Sequence, residues 1–261
     1  MTDHPAFEIL RPNAKSSILI LCDHASNAVP TSVNGGTLGL PDADMNRHIA
    51  YDVGARGVVE HLSEILDAHA ALSRFSRLVI DPNRGEDDPT LLMKLYDGSI
   101  IPGNRDADSA EKERRLDLFH RPYHRAVEKQ IDHMIAEGRV PALVSIHSFT
   151  PKLRNRPMRP WHLGVLWDKD DRLVRPFIKY FADDQDIVVG DNEPYSGELQ
   201  GDTMYNHGTS RGLPHILIEI RHDLIDTPEG QQKWAERIAP AIWMALNALK
   251  QEGSDGQANG N

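Results

Sequence analysis

The chain carries one cysteine, Cys22. A lone thiol closes no internal disulfide and makes no Cys-x-x-Cys pair, which excludes a disulfide framework and a cysteine-built zinc or redox centre. Apolar runs are short throughout and none approaches the roughly 18 residues that a membrane-spanning helix needs. The opening MTDHPAFEILRP has neither the basic start nor the apolar core of a secretory signal. Positive charge is in deficit: 29 Lys and Arg against 39 Asp and Glu leave a formal net charge of −10, so no bulk basic face exists for nucleic acid. These absences predict a cytoplasmic protein with no nucleic-acid or membrane partner. Neither an internal repeat nor a linker interrupts the chain, which predicts a single domain over residues 1–250. The tail, QEGSDGQANGN (251–261), has one alanine as its sole apolar residue and is expected to be disordered.

What is present is ordinary globular composition, 39% hydrophobic and 26% charged, enough to bury a core. Short aliphatic runs predict strands at 17–22 (SILILC), 78–80 (LVI), 142–146 (ALVSI), 162–167 (HLGVLW), 186–190 (DIVVG) and 215–220 (HILIEI). They lack clean alternation, as strands covered on both faces do. Apolar residues recurring at three- and four-residue steps predict helices at about 44–68, 109–137, 172–182 and 230–250, the second opened by an Asp108–Glu111 capping box. Strands alternating with helices predict an α/β fold with a mixed, mostly parallel sheet and helices on both faces.

In open α/β sheets ligands bind beyond the carboxyl ends of the strands. The residues there are informative. Asp23 and His24 follow the first run, and Asp81, Pro82, Asn83 and Arg84 follow LVI. His147 and Ser148 follow ALVSI, and HILIEI closes on Glu219 and Arg221. Histidines and acids at strand ends also serve as turn formers and helix caps. Gathered at one sheet edge, however, they cost desolvation unless they are paired, exposed in a cleft or bound to metal. Two imidazoles and a carboxylate leave zinc one open position, where a water is activated for hydrolysis. A glutamate that is not a ligand can move the proton, and an arginine can clamp a substrate carboxylate. Glu219 and Arg84 are the candidates for those tasks.

The segments CDHASNAVP, SRLVIDPNR, HRPYH, VSIHSFTP, NEPYSG and GLPHILIEIRHDLI together resemble the N-formylglutamate amidohydrolase family, from Ile18 to Ile225. The resemblance implies an enzyme that removes formate from N-formyl-L-glutamate, late in histidine breakdown. It also implies a fold similar to the zinc carboxypeptidases, with zinc as cofactor and a small anionic substrate as partner. Carried over, His24 opens the metal motif and His147 completes it. Asn83 and Arg84 look like the carboxylate grip, and Glu219 like the base. The pattern departs at Asn27, where those peptidases have a glutamate ligand, and a neutral amide is a poor zinc ligand. The third ligand is then sought at His48 or Asp52, one turn apart in HIAYD on the first predicted helix.

Ser148, Arg221 and His207 join Asn83 and Arg84 as candidate substrate contacts. His120 and His124 share a helical face in HRPYH, a spacing more often packed than metal-bound. GTSRG (208–212) matches a nucleophile elbow in letters but not in context, because Ser210 precedes a proline and a strand, and it reads as a loop. LRNRPMRP reads as a solvated basic loop, and Tyr195–Gly197 as part of a binding loop. Four tryptophans and a long final helix leave room for a homodimer face. Two other functions compete with the amidohydrolase: a non-catalytic binding module for an anionic metabolite, favoured by Asn27, and a carboxypeptidase-like peptidase.

Overall fold

The computed structural model describes residues 4–258, with side chains through Gln251; of the tail expected to be disordered, 251–258 continue the final helix and 259–261 lie outside the described residues. The strands are β1 (Phe7–Leu10), β2 (Ile18–Cys22), β3 (His69–Ser73), β4 (Leu95–Tyr96), β5 (Ser99–Ile100), β6 (Ala142–Phe149), β7 (Leu163–Leu166), β8 (Val189–Asp191) and β9 (His215–Arg221). Seven of them form one sheet in the order β1-β3-β2-β6-β9-β7-β8, and β4 and β5 pair as a separate hairpin. β3, β2, β6 and β9 run parallel, while β1 meets β3 and β7 meets β9 antiparallel. A mixed, mostly parallel sheet was expected, and it is what forms.

The helices are α1 (Asp42–Met45), α2 (Ala55–Ile65), α3 (Pro102–Arg105), α4 (Ser109–Arg115), α5 (Arg121–Ala136), α6 (Val174–Tyr180), α7 (Thr203–His207) and α8 (Pro228–Ala258). No helix among the described residues is long and apolar enough to cross a membrane. Successive strand residues point to opposite faces, so each central strand feeds two cores. Ile18, Ile20, Val144, Ile146, Ile216 and Ile218 pack with residues of α2, α6 and α8 on one face. Leu19, Leu21, Leu143 and Leu217 pack with Tyr123, Val127, Ile131 and Met134 of α5 on the other. Asp23, His147 and Glu219 continue this second face past the hydrophobic layer.

Two expected elements are corrected. Residues 78–80 are not a strand but a fully buried turn: Leu78, Val79 and Ile80 plug a core with Ile49, Phe75 and Phe119, and Val79 N–H donates to Ser76 O at 2.8 Å. The strand there is β3, whose alanines carry little strand preference and read as the end of a helix. The helix expected over 44–68 is α1, a run of turns and α2, because Gly54 lies at φ 79°. A Cβ at Gly54 would stand 2.0 Å from Ile225 O, so only glycine fits. The helix expected over 109–137 is continuous in course but contains a π-helical turn, Leu116–His120, between α4 and α5. The Asp108 cap forms, accepting from Glu111 N–H at 2.9 Å.

Candidate active site

β2 ends at Cys22, and Asp23 follows Leu19 and Leu21 onto the α5 face. There its carboxylate accepts from Tyr123 OH at 2.8 Å and Thr203 Oγ1 at 2.9 Å. His147 lies on β6, in register with Glu219 on β9, so strand pairing places the imidazole beside the carboxylate. Asp52 arrives from the turn before Gly54, its N–H donating to His24 O at 3.0 Å. One backbone bond thus ties the loop to the end of β2.

The Nδ1 atoms of His24 and His147 lie 3.4 and 2.9 Å from one oxygen, Asp52 Oδ2. Their Nε2 atoms face other carboxylates: His24 is 2.7 Å from Asp81 Oδ1, and His147 is 3.1 Å from Asp23 Oδ2. The rings stand nearly perpendicular, centroids 5.0 Å apart. One donor atom from each of His24, Asp52 and His147 lies within 4.8 Å of the others, and all three residues are buried. Each imidazole thus meets a carboxylate at both nitrogens. With an ion held among His24, Asp52 and His147, Asp81 and Asp23 would keep the Nε2 hydrogens and leave the Nδ1 lone pairs to the ion, as in carboxylate–histidine–metal arrangements. Two imidazoles and a carboxylate suit a zinc-like divalent ion. The donor set therefore fits.

Electrostatics follow from the burial of these charges. Burial opposes protonation of His147, yet hydrogen bonds to Asp23 and Asp52 hold its pKa well above the usual imidazole value. Burial would raise Asp23, but the His147 hydrogen bond and charge bring it down to about 2. Asp52 and Asp81 are likewise lowered against burial, Asp52 first by the charge of His24 and Asp81 first by that of Arg77. Glu219 goes the other way. It is 7% exposed, its Oε2 has no hydrogen-bond partner, and burial raises it to about 7, with the His147 charge opposing and the Asp52 charge adding. A carboxylate that is buried, unpaired and beside a cation site has the properties of a proton carrier.

Arg77 was not singled out from the sequence. Its Nε and Nη2 hold Asp81 Oδ2 at 3.0 and 2.7 Å, and its Nη1 lies 3.6 Å from Asp52 Oδ1. With 78–80 taken for a strand, Arg77 stood at the wrong end of it; the turn brings Arg77 and Asp81 together. The sequence signal was an arginine four residues before an acid inside an apolar run.

The other expected residues divide. Asn83, Arg84 and Ser148 line a cavity of about 130 Å³ together with His24, His147 and Glu219. Asn83 Oδ1 accepts from Thr203 N–H at 3.1 Å, and the Arg84 guanidinium reaches Thr90 Oγ1 at 3.1 Å. Ser148 holds Asp52 in place by a backbone N–H at 3.1 Å. His48 lies at the cavity wall but outside the ligand group, 3.4 Å from Asp97, and Asp52 alone supplies the third donor. The two are not on one helical face, because 48–52 is a run of turns. Asn27 bonds Met45 O and Asn46 Oδ1, away from the histidines.

Arg221 and His207 do not reach this cavity. Arg221, the last residue of β9, bonds Asp223 at 2.8 Å and the carbonyls of Arg159 and Trp161, and these partners hold its guanidinium away from the cavity. His207 stacks on His124 instead. Ser210 sits in a short 3₁₀ turn, donating to Asn206 O, as its loop reading implied.

Buried histidines backed by carboxylates at the strand ends of a mixed sheet, beside a buried glutamate, make a donor group that could hold a metal ion. The chain belongs to the N-formylglutamate amidohydrolase family, whose sequence model matches residues 16–226. It is 26% identical over 165 residues to the N-formylglutamate deformylase of Pseudomonas putida, a match covering 57% of this chain and 58% of that protein. The chain thus spans less than two thirds of that relative's length. Among solved structures, a gene product of Agrobacterium tumefaciens is 34% identical with a TM-score of 0.89, covering 94% of this chain and 96% of that one. The N-formylglutamate amidohydrolase of Ralstonia eutropha JMP134 shares the fold at 17% identity and a TM-score of 0.65, covering 94% and 99%.

Proposed function

We propose that the chain is a metal-dependent amidohydrolase that cleaves the amide of a small N-acyl acidic amino acid such as N-formyl-L-glutamate, releasing formate and the free amino acid. The observation that carries this reading is the convergence of His24, Asp52 and His147 donor atoms within 4.8 Å of one another. Zinc is the ion that best suits those three residues. When bound, such an ion supplies Lewis acidity towards water and the amide carbonyl.

Glu219 takes a proton from the attacking water and delivers it to the leaving nitrogen, so that one water is consumed and the C–N bond breaks. Arg84 offers a planar two-pronged donor to a substrate carboxylate, and Asn83 stands next to it. Arg77 holds Asp81 and stands beside Asp52, so its buried positive charge balances the carboxylates around His24. Asp23 and Asp81 hold the two imidazoles.

The feature that favoured a binding module, Asn27 in place of a glutamate ligand, loses its weight because Asp52 offers a carboxylate as the third donor. A cavity of about 130 Å³ suits a small molecule better than a peptide. The test is formate release from N-formyl-L-glutamate with and without chelator, alongside metal analysis of protein purified without added metal. Binding of the substrate with no formate released under any metal would leave a binding module in its place.

A further inference from the structure

Three more histidines line a separate cavity of about 840 Å³ and take no part in the chemistry above. His120 closes the π-helical turn, His124 follows one turn later on α5, and His207 ends α7. They are only 4%, 9% and 2% exposed. His120 Nε2 is 2.9 Å from Arg84 O, and His124 Nε2 is 2.9 Å from Pro82 O. His124 Nδ1 is 2.8 Å from His207 Nε2.

The hydrogens can be assigned from chemistry. A carbonyl oxygen only accepts, so Nε2 of His120 and of His124 must donate. Burial lowers all three rings, His124 to about 3 and His207 to about 4, so each is neutral at pH 7 and has one N–H. His124 Nδ1 is then an acceptor, and the hydrogen between the two rings belongs to His207 Nε2. The Nδ1 atoms left over, on His120 and His207, are bare lone pairs, and these are the two atoms of the cluster with no hydrogen-bond partner. Donation therefore runs from His207 to His124 to the Pro82 carbonyl, and from His120 to the Arg84 carbonyl.

Those carbonyls flank Asn83 in a stretch with no strand partner. Thr203 N–H holds the Asn83 side chain, and Asp81 Oδ1 accepts Asn83 N–H at 2.9 Å. The Arg84 guanidinium has few fixed partners of its own, Thr90 Oγ1 and the neighbouring Asn83 carbonyl, so its direction is inherited from the backbone beneath it. We infer that His120 and His124, with His207 behind them, are positioning residues that fix the backbone at 82–84 and so aim Arg84 at the substrate carboxylate. This rests on the reading of Arg84 as the carboxylate grip.

The test uses His124→Phe, which keeps a ring of similar size and removes the donor, and His124→Gln, whose amide restores one near the Nε2 position. The full-length metal-loaded protein is assayed for KM and kcat on N-formyl-L-glutamate, with metal content and melting temperature measured in parallel. His124→Phe should raise KM by about tenfold, the scale of one lost hydrogen bond. Its kcat and metal content should stay within about twofold of wild type, and His124→Gln should recover most of the loss. In an Arg84→Lys background His124→Phe should add less than about twofold, because sites that act through one group do not add. An unchanged KM in His124→Phe, while Arg84→Lys raises it, would overturn the positioning role alone, as would full additivity of the two. An unchanged KM in Arg84→Lys would overturn the carboxylate grip and the positioning with it. Should His124→Phe fail to fold, His120→Phe reports on the Arg84 carbonyl in the same way.

Discussion

The two histidine clusters both lean on residues 81–84, yet the partners of their rings make them different devices. His24 and His147 each face a carboxylate through Nε2, and His147 is held basic. His120 and His124 face carbonyls, and burial keeps them neutral. A carboxylate partner prepares an imidazole to face a cation, whereas a carbonyl partner turns it into a fixed donor. The lesson is that the second partner of a histidine, and not its burial, decides what the ring can do.

The sharpest way to break this comparison is to remove one ring from the first cluster. His147→Ala should lose most bound metal and lower turnover by more than about a hundredfold, since even the partners behind metal ligands are worth about 10- to 100-fold. Removing His207 from the second cluster should leave metal content unchanged. Wild-type metal stoichiometry in His147→Ala would show that the first cluster is not the metal centre.

Next comes the proton carrier. Glu219→Gln should retain metal and melt near the wild-type temperature but lower kcat by about a hundredfold. The base works deprotonated, so with a pKa of about 7 the wild-type kcat/KM should climb as pH rises through 7 and then level. That climb should be absent in the Gln variant, and its persistence would transfer the base role to another group. A smaller effect is expected from Asp23→Asn, which keeps the shape behind His147 but not the charge. Metal affinity should fall by about 10- to 100-fold, read by competition with a chelator.

The smallest effect sharpens the contrast through stability of the metal-free protein. His147 has a raised folded pKa, so its contribution is complete below the ordinary value of about 6.5 and is lost as pH rises through the folded value. His124, lowered to about 3, acts oppositely: between about 6.5 and 3 the unfolded chain binds the proton that the folded chain refuses, so stability falls as pH falls. Melting temperature against pH should therefore lose part of its acid-side slope in His124→Phe and part of its alkaline-side slope in His147→Phe. Identical profiles for both variants would erase the distinction.

Much of the site was legible because parallel strands buried on both faces read as aliphatic runs, and their first polar residues mark the sheet edge. His24, His147 and Glu219 were found that way. Residues delivered by loops were harder. Asp52 was reached only as half of a helical pair with His48, and Gly54 breaks the helix that pairing assumed. Arg77 was hidden by a buried turn that imitates a strand. Arg221 was expected in the cavity but is held by Asp223 and the carbonyls of Arg159 and Trp161, partners from outside its strand. The pairing of His124 with His207 spans 83 residues and leaves no local trace, so only the fold reveals it.

The most direct measurement is formate release from N-formyl-L-glutamate by chelator-stripped protein as zinc is added back, with bound metal counted at each step. Activity should be absent in the stripped protein and rise in proportion to metal, saturating at about one ion per chain, the number a single three-residue donor set holds. Full formate release with no metal bound would contradict a metal centre at His24, Asp52 and His147.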